Sequence, residues 1–241
     1  MKSILIVKTG STFPTIAKKY GDFEDWIISG TQIPQNNFSI VSPFMGQPLP
    51  KQDNFVGIII TGSHSMVTEY ETWSENIAKW LPKAVEIGIP ILGICYGHQL
   101  LAHAMGGRAG FHPNGLEIGT VKVSKTRFAN DDLLFCDLPA SFEVKVNHTQ
   151  SVLRLPPKAK ILASNTFEPH QAFVLQKHAW GVQFHPEFNQ DIMKCYIMEQ
   201  KDLLLAEGYD IGQLMSAVRP ALFGETILNR FCEIALEADK A

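Results

Sequence analysis

Cys95 is the residue whose surroundings most clearly suggest chemistry. It lies in Gly93-Ile94-Cys95-Tyr96-Gly97, a Gly-x-Cys-x-Gly pattern between an apolar run and a helical pattern. A sharp strand-to-helix turn of this kind holds its central side chain above a sheet in a strained backbone conformation, and the flanking glycines leave space where a Cβ atom would collide with backbone. A thiol at the start of a helix is also shifted toward thiolate by the helix dipole. Cys95 is therefore predicted to be a nucleophile.

His185 is the candidate general base among the eight histidines. It ends a short apolar strand pattern in the stretch Gly-Val-Gln-Phe-His-Pro-Glu, residues 181–187. In open α/β sheets, sites form at the carboxyl ends of strands. Glu187 follows two residues later, and a carboxylate there can fix the imidazole tautomer and stabilise the imidazolium. Cys95, His185 and Glu187 thus form a predicted Cys-His-Glu triad, a contact that spacing alone does not establish.

The other three cysteines do not share this context. Cys136, Cys195 and Cys232 are far apart in the chain and form no Cys-x-x-Cys pair. They are interpreted as small buried hydrophobic residues, and neither a disulfide nor a zinc site is expected. The alternative for Cys95 itself is that it is also a buried cysteine, placed by chance at the end of a strand.

Three apolar runs predict the parallel core of a sheet. They are residues 3–7, 55–60 and 90–94. Each is bounded by polar or turn residues, as buried parallel strands are. Residues 72–88 carry apolar side chains at helical spacing, and Pro82 is expected to kink or split this helix. Strand, helix and strand at these lengths make a βαβ unit. A further helix over 97–105 is expected to stop at Gly106.

The second half of the chain predicts short strands and then helices. The strands are expected over residues 118–123, 141–146, 161–164, 172–175 and 180–184. They are interpreted as antiparallel additions and returning core strands. Residues 189–236 are predicted to be helical, with breaks at Gly208, Arg219-Pro220 and Gly224.

These elements predict an α/β fold, an open and mainly parallel sheet flanked by helices, with small antiparallel additions and a helical C-terminal tail. Because no repeat or linker interrupts the chain, we expect one domain over 1–241, with a catalytic core over 1–188 and a helical extension over 189–241. The tail is expected to pack over the sheet of its own chain. A dimer or partner surface is the alternative.

Composition narrows the functional classes. The 241 residues are 45% hydrophobic and 19% charged, with a formal net charge of −3 and mixed signs. This balance lacks the basic surface of a nucleic-acid binder and the polybasic run of a membrane-surface protein. Only about four apolar residues precede Lys8, fewer than a secretory leader needs, and no apolar run approaches the ~18 residues of a membrane helix. A cytoplasmic location is expected.

The blocks around Cys95 and His185 together resemble the two signature blocks of the class I, triad-type glutamine amidotransferases. They are Gly-Ile-Cys-Tyr-Gly-His-Gln at 93–99 and Gly-Val-Gln-Phe-His-Pro-Glu at 181–187. The likeness is closest to the amidotransferase domain of GMP synthase and to stand-alone proteins similar to it. It runs from the first strand to about Glu187 and includes Gly106-Gly107-Arg108 and Ile118-Gly119. It implies the flavodoxin-like fold of that family.

The resemblance also implies roles for particular residues. Cys95, His185 and Glu187 would be nucleophile, base and orienting carboxylate. The backbone N–H groups of Tyr96 and Gly62 would form an oxyanion hole, which stabilises a tetrahedral intermediate by roughly 3–4 kcal/mol per donor.

Substrate contacts follow from the same resemblance. Gln99 would contact the α-amino-acid end of the substrate, although an exposed polar helix residue is its alternative interpretation. The loop containing His148, Thr149 and Gln150 would offer backbone contacts to the same end. Shaping this loop is the alternative role for His148. Ser63-His64-Ser65 replaces the Gly-Pro-rich loop of GMP synthase, so a different mouth of the site is expected.

The implied activity is hydrolysis of the glutamine side-chain amide to glutamate and ammonia through a thioester on Cys95, without a metal or other cofactor. The sequence contains neither a Walker-type phosphate loop nor a Ser-Gly-Gly-x-Asp-Ser nucleotide loop. A separate synthase subunit would therefore accept the ammonia, or the protein is a free-standing hydrolase. Two alternatives stay open: a γ-glutamyl peptidase acting on γ-glutamyl peptides or glutathione conjugates, and a catalytically silent regulatory or scaffold protein. A homo-oligomer also stays open.

Overall fold

The apolar runs form the centre of a nine-stranded sheet in the computed structural model, which describes residues 2–238; residue 1 and residues 239–241 of the predicted domain lie outside the described part. The strands are β1 (Ser3–Val7), β2 (Phe38–Val41), β3 (Phe55–Ile60), β4 (Ile91–Ile94), β5 (Arg108–Phe111), β6 (Glu117–Lys125), β7 (Ser141–His148), β8 (Gln150–Arg154), β9 (Lys160–Ser164), β10 (Ala172–Leu175) and β11 (Ala179–Val182). The helices are α1 (Pro14–Tyr20), α2 (Phe23–Ser29), α3 (Thr72–Glu86), α4 (Tyr96–Ala104), α5 (Gln190–Glu199), α6 (Lys201–Ala206), α7 (Ile211–Ala217) and α8 (Gly224–Ala238).

The sheet has a parallel half and an antiparallel half. Its strand order is β2-β1-β3-β4-β11-β10-β9-β6-β7. The first five strands in this order run parallel, and the remaining pairings are antiparallel. Strands β5 and β8 pair separately. The predicted α/β fold class is confirmed, and its antiparallel portion is larger than the short additions that the sequence suggested.

Helix α3 is continuous through Pro82, so the predicted split is wrong, whereas a kink at Pro82 stays a prediction. Pro82 removes one backbone N–H from the helical ladder, and it lies on the exposed face of the helix. The opposite face, which includes Ile77, Leu81 and Val85, is buried against the sheet. Burial of this apolar face offsets the lost hydrogen bond, because tertiary packing supplies most of the stability of a protein helix.

The helical tail packs on the rest of the same chain. An added Cβ at Gly57 in β3 would lie 2.6 Å from the Cβ of Ala235 in α8, so the glycine permits a close helix–sheet approach. The ring of Phe231 in α8 meets the buried Trp180 edge to face, with centroids 6.3 Å apart. Within residues 2–238, no helix is both long and apolar enough to span a bilayer. The division at residue 188 and a homo-oligomer stay predictions.

Candidate active site

Cys95 occupies the single residue between the end of β4 and the start of α4. Its backbone has φ 50° and ψ −98°, a conformation that non-glycine residues rarely adopt. A Cβ added at Gly93 would lie 2.4 Å from the carbonyl oxygen of Gly97, and one added at Gly97 would lie 2.4 Å from the carbonyl oxygen of Ile60. The glycine spacing seen in the sequence thus reflects close backbone contacts on both sides of the turn.

Strand β11 brings His185 to the same edge of the sheet. It lies parallel to β4, with Val182 in register with Ile94, and the Val182 carbonyl accepts a 2.8 Å hydrogen bond from the Cys95 N–H. The His185 N–H donates to the carbonyl of Lys145, also at 2.8 Å. Two distant stretches of sequence therefore meet through adjacent parallel strands.

The imidazole of His185 is held from two sides. Its Nδ1 donates to Oε1 of Glu187 at 2.8 Å, and this leaves Nε2 as the nitrogen available to the sulfur. The ring of Phe188 stacks on the imidazole with centroids 4.0 Å apart. Both predicted triad partners of Cys95 are buried, with 4% of the His185 side chain and none of the Glu187 side chain exposed.

Neighbouring charges determine the protonation state of His185. Burial alone would lower the pKa of His185, but the Glu187 carboxylate and the Cys95 thiolate outweigh burial and raise that pKa to about 10. With that pKa, the imidazole carries a positive charge at neutral pH, next to the sulfur of Cys95. This arrangement can supply a sulfur nucleophile and a proton donor for a leaving group at the same time.

The loop after β3 lies beside His185, and Thr9 contacts its backbone carbonyls. The hydroxyl of Thr9 lies 2.9 Å from the carbonyl of Thr61 and 3.0 Å from the carbonyl of Gly62. Because N–H and C=O point in opposite directions across a trans peptide, the N–H groups of Gly62 and Ser63 are directed away from Thr9. Gly62 approaches the base so closely that an added Cβ would lie 2.9 Å from Cε1 of His185. Ser63 lines the pocket, so it is a further candidate donor that the sequence analysis missed.

A pocket of about 460 Å³ opens above Cys95. The pocket is lined by the loops after β3 and β7, by the start of α4 and by the helical tail. The tail contributes Glu199, Gln200, Asp202 and Leu203. No lysine or arginine of the described chain lines this pocket, whereas Glu199 and Asp202 are acidic. His64 also lines the pocket, and its ring packs against the ring of Phe13 with centroids 4.4 Å apart. It belongs to the Ser63-His64-Ser65 segment that replaces the Gly-Pro-rich loop of GMP synthase.

The four predicted substrate-binding residues all line this pocket. Gln99 donates from Nε2 to the carbonyl of Gln150 at 2.7 Å and to Oε1 of Gln183 at 3.0 Å, which leaves its own oxygen for other partners. His148 uses both ring nitrogens, one on Glu117 at 2.9 Å and one on the Gln150 carbonyl at 3.0 Å. His148 therefore fixes the shape of the loop that presents Thr149 and Gln150.

Gln183 is the second residue that the sequence analysis missed. It is fully buried, and its Nε2 lies 3.5 Å from the sulfur of Cys95. Its position two residues before His185, inside the second signature block, was the available signal. Across residues 2–238, no group of three or more His, Cys, Asp or Glu side chains could hold a metal ion.

Comparisons with known proteins identify the family of the chain. The family model described as "Glutamine amidotransferase class-I" matches residues 32–203. The chain is 35% identical over 143 residues to the GMP synthase [glutamine-hydrolyzing] of Aeropyrum pernix, covering 59% of this chain and 26% of that protein. It is 28% identical over 159 residues to gamma-glutamyl peptidase 4 of Arabidopsis thaliana, covering 65% of this chain and 62% of that protein.

Similarity at the level of the fold extends over nearly the whole chain. The structure of a glutamine amidotransferase from Thermotoga maritima superposes with a TM-score of 0.74 at 23% identity, covering 98% of this chain and 97% of that one. The chain spans about a quarter of the length of the GMP synthase that it matches. The family match covers more than half of the chain, and on this evidence the protein belongs to the class-I glutamine amidotransferase family.

Proposed function

We propose that this protein hydrolyses the side-chain amide of glutamine, releasing glutamate and ammonia, through a thioester on Cys95. The observation that carries the proposal is the position of Cys95 beside the positively charged imidazole of His185, which Glu187 orients at 2.8 Å. A general base oriented by a carboxylate next to a strained nucleophile is the arrangement that covalent acyl transfer requires.

In the first half of the reaction, the Cys95 thiolate attacks the side-chain carbonyl carbon of glutamine. The N–H of Tyr96, together with the N–H groups of Gly62 and Ser63, stabilises the tetrahedral oxyanion. His185 then gives its Nε2 proton to the amide nitrogen, the carbon–nitrogen bond breaks, and ammonia leaves. The glutamyl group stays on sulfur as a thioester, and His185 is neutral.

In the second half, neutral His185 takes a proton from water as the water oxygen attacks the thioester carbonyl. The carbon–sulfur bond breaks, glutamate leaves, and the thiolate and imidazolium are restored. Glu187 retains its negative charge throughout, because its role is to stabilise the imidazolium.

The pocket also favours the α-amino-acid end of the substrate. Both N–H groups of Gln99 are used on protein atoms, so its oxygen is left to accept a hydrogen bond from a substrate ammonium group. Glu199 and Asp202, with no lysine or arginine of the described chain in the pocket wall, give it negative charge that suits the same group. His148 holds the loop opposite in place.

A γ-glutamyl peptide is a second candidate substrate because of the pocket's size. A water-sized group takes up ~30 Å³, so the pocket of about 460 Å³ holds roughly fifteen such groups. This volume is larger than a glutamine molecule fills. The same thioester chemistry applies when the leaving group is an amino acid or peptide. A catalytically silent scaffold is the remaining alternative, and the intact arrangement of Cys95, His185 and Glu187 argues against it.

The experiment is a substrate panel of glutamine, γ-glutamyl dipeptides and glutathione, with wild type, Cys95→Ala and the matched control Cys136→Ala. We expect ammonia release from glutamine by wild type and Cys136→Ala, and no turnover by Cys95→Ala. Turnover by Cys95→Ala would show that the nucleophile is wrongly assigned. Cleavage of γ-glutamyl peptides without ammonia release from glutamine would favour the peptidase, and loss of both activities would favour the scaffold.

The acceptor of the ammonia is a separate part of the proposal. The chain is similar to a GMP synthase [glutamine-hydrolyzing], and by analogy with that relative we propose that a synthase on a separate subunit accepts the ammonia. Weak glutaminase activity that rises on addition of such a subunit would support this. Full activity of the chain alone would favour a free-standing hydrolase. A cytoplasmic location stays a prediction.

A further inference from the structure

Three glutamines connect the substrate loop to the nucleophile. The Gln150 carbonyl accepts from Nε2 of Gln99 at 2.7 Å, the same Nε2 donates to Oε1 of Gln183 at 3.0 Å, and Nε2 of Gln183 lies 3.5 Å from the sulfur of Cys95. Gln99 is 4% exposed and Gln183 is not exposed at all. Neither position is that of a solvated surface amide.

The direction of this chain is fixed by its first member. The backbone carbonyl of Gln150 can only accept, so the NH₂ group of Gln99 must face it. The second N–H of Gln99 then requires an acceptor, which is the amide oxygen of Gln183. With its oxygen committed to Gln99, Gln183 presents its NH₂ group to Cys95. The hydrogen-bond partners therefore determine which atom of each side-chain amide is the oxygen and which is the nitrogen.

We propose that Gln183 is a catalytic residue that donates a hydrogen bond to the Cys95 sulfur and stabilises its thiolate. The inference rests on the proposed function for the identity of the nucleophile. A donor is needed here because the Asn147 carbonyl oxygen also lies 3.9 Å from the sulfur and would repel a thiolate. A hydrogen bond to a charged acceptor inside a protein is stronger than one between neutral groups.

The same chain couples substrate binding to the nucleophile. Gln99 has only its oxygen left for the substrate, and an ammonium group bound there would polarise the Gln99 amide. Polarised hydrogen bonds strengthen their neighbours in a chain, so the contact from Gln183 to the sulfur would strengthen when the substrate is bound. Gln99 is thus a positioning residue for Gln183 as well as a substrate contact.

The test is the pH profile of Cys95 alkylation by iodoacetamide, followed by peptide mass spectrometry in the absence of substrate. Gln183→Met keeps most of the side-chain volume and removes the donor. We expect the midpoint of the profile to rise by about one pH unit, the effect of one charge-assisted hydrogen bond, so that alkylation slows about tenfold at pH values below the wild-type midpoint. Gln52→Met is the matched control, since the Gln52 side chain donates to the Trp80 carbonyl at 3.0 Å, and it should keep the wild-type profile.

A second variant keeps the test decisive if Gln183→Met fails to fold. Gln99→Met leaves Gln183 in place but frees its amide to rotate, so it should shift the midpoint in the same direction by a smaller amount. A folded Gln183→Met with the wild-type alkylation profile would overturn the proposal, even if its turnover is low. Because alkylation needs no turnover, the expected shift in Gln183→Met combined with no ammonia release by wild type would contradict the proposed function and leave the role of Gln183 standing.

Discussion

Replacing Gly97 by alanine is expected to inactivate the protein while leaving most of its fold in place. The added Cβ would lie 2.4 Å from the carbonyl oxygen of Ile60, 2.9 Å from its Cβ and 3.0 Å from its carbonyl carbon. These atoms belong to or adjoin the backbone of β3, so no flexible side-chain end can move away. To restore an ordinary contact of about 3.4 Å, α4 must retreat from β3 by about 1 Å.

That displacement separates groups that must act together. Helix α4 begins at Tyr96 and moves with Cys95, whereas β3 leads into the loop that carries Gly62 and Ser63. A misplacement of about 1 Å costs on the order of 10²-fold in rate, and overpacking costs about 1–3 kcal/mol of stability. We therefore expect kcat/KM to fall at least ~100-fold with only a modest loss of thermal stability.

Ammonia release coupled to glutamate dehydrogenase measures the rate, and circular dichroism with a thermal melt reports the fold. Gly212→Ala is the matched control, since Gly212 lies in α7 and its added Cβ would meet only Oδ1 of Asp210 at 3.2 Å. This control should keep wild-type activity. A folded Gly97→Ala with more than half of that activity would refute the idea that the contact between α4 and β3 sets the geometry of the site.

Three further predictions test the charges and donors around the nucleophile. Glu187→Gln removes a carboxylate that raises the pKa of His185, so the alkaline limb of kcat/KM should move about 1–3 units down from near pH 10, as a pH–rate profile would show. Ser63→Pro removes a backbone donor and should lower kcat about 10²–10³-fold, whereas Ser63→Ala keeps the N–H and should lose far less. Burial lowers the pKa of Lys145 to about 8, so above that pH the unfolded chain binds a proton that the folded chain has lost. Between pH 7 and pH 10 the free energy of unfolding of wild type should therefore rise by roughly 1 kcal/mol relative to Lys145→Met, as urea unfolding would measure. An equal rise in the variant would contradict this.

The strands that the sequence predicted best are those buried on both faces. Strands β1 and β3 match the predicted runs residue for residue, and β4 begins one residue later than expected. Strand β10 matches as well. Continuous apolar runs define such strands without information from neighbours, because every side chain in them avoids water. Strand β11 ends two residues before the predicted boundary, and this places Gln183 and His185 in the loop that forms the site.

Elements that depend on distant partners could not be predicted in this way. Strand β2 is a four-residue edge strand in which Val41 is buried and the other three residues are partly or fully exposed. Strands β5 and β8 are short and stabilise each other across about 40 residues of sequence. Helices α1 and α2 have seven residues each, too few for a clear helical period. The paired strand and the neighbouring helix decide the structure of such segments, and a single sequence does not contain that pairing.

The helical tail shows why the chemistry was easier to predict than the substrate. Tyr196 in α5 donates or accepts a 2.8 Å hydrogen bond with Thr12 and packs 4.8 Å from Phe188, the ring that stacks on His185. Farther along, the tail supplies one wall of the pocket. Helical spacing identifies the buried face of α5 but not the edge of the sheet that it covers. The two signature blocks therefore led to a proposed reaction, whereas the tail, which lies beyond them, lines the pocket, and we expect it to influence which substrates fit beside the sulfur.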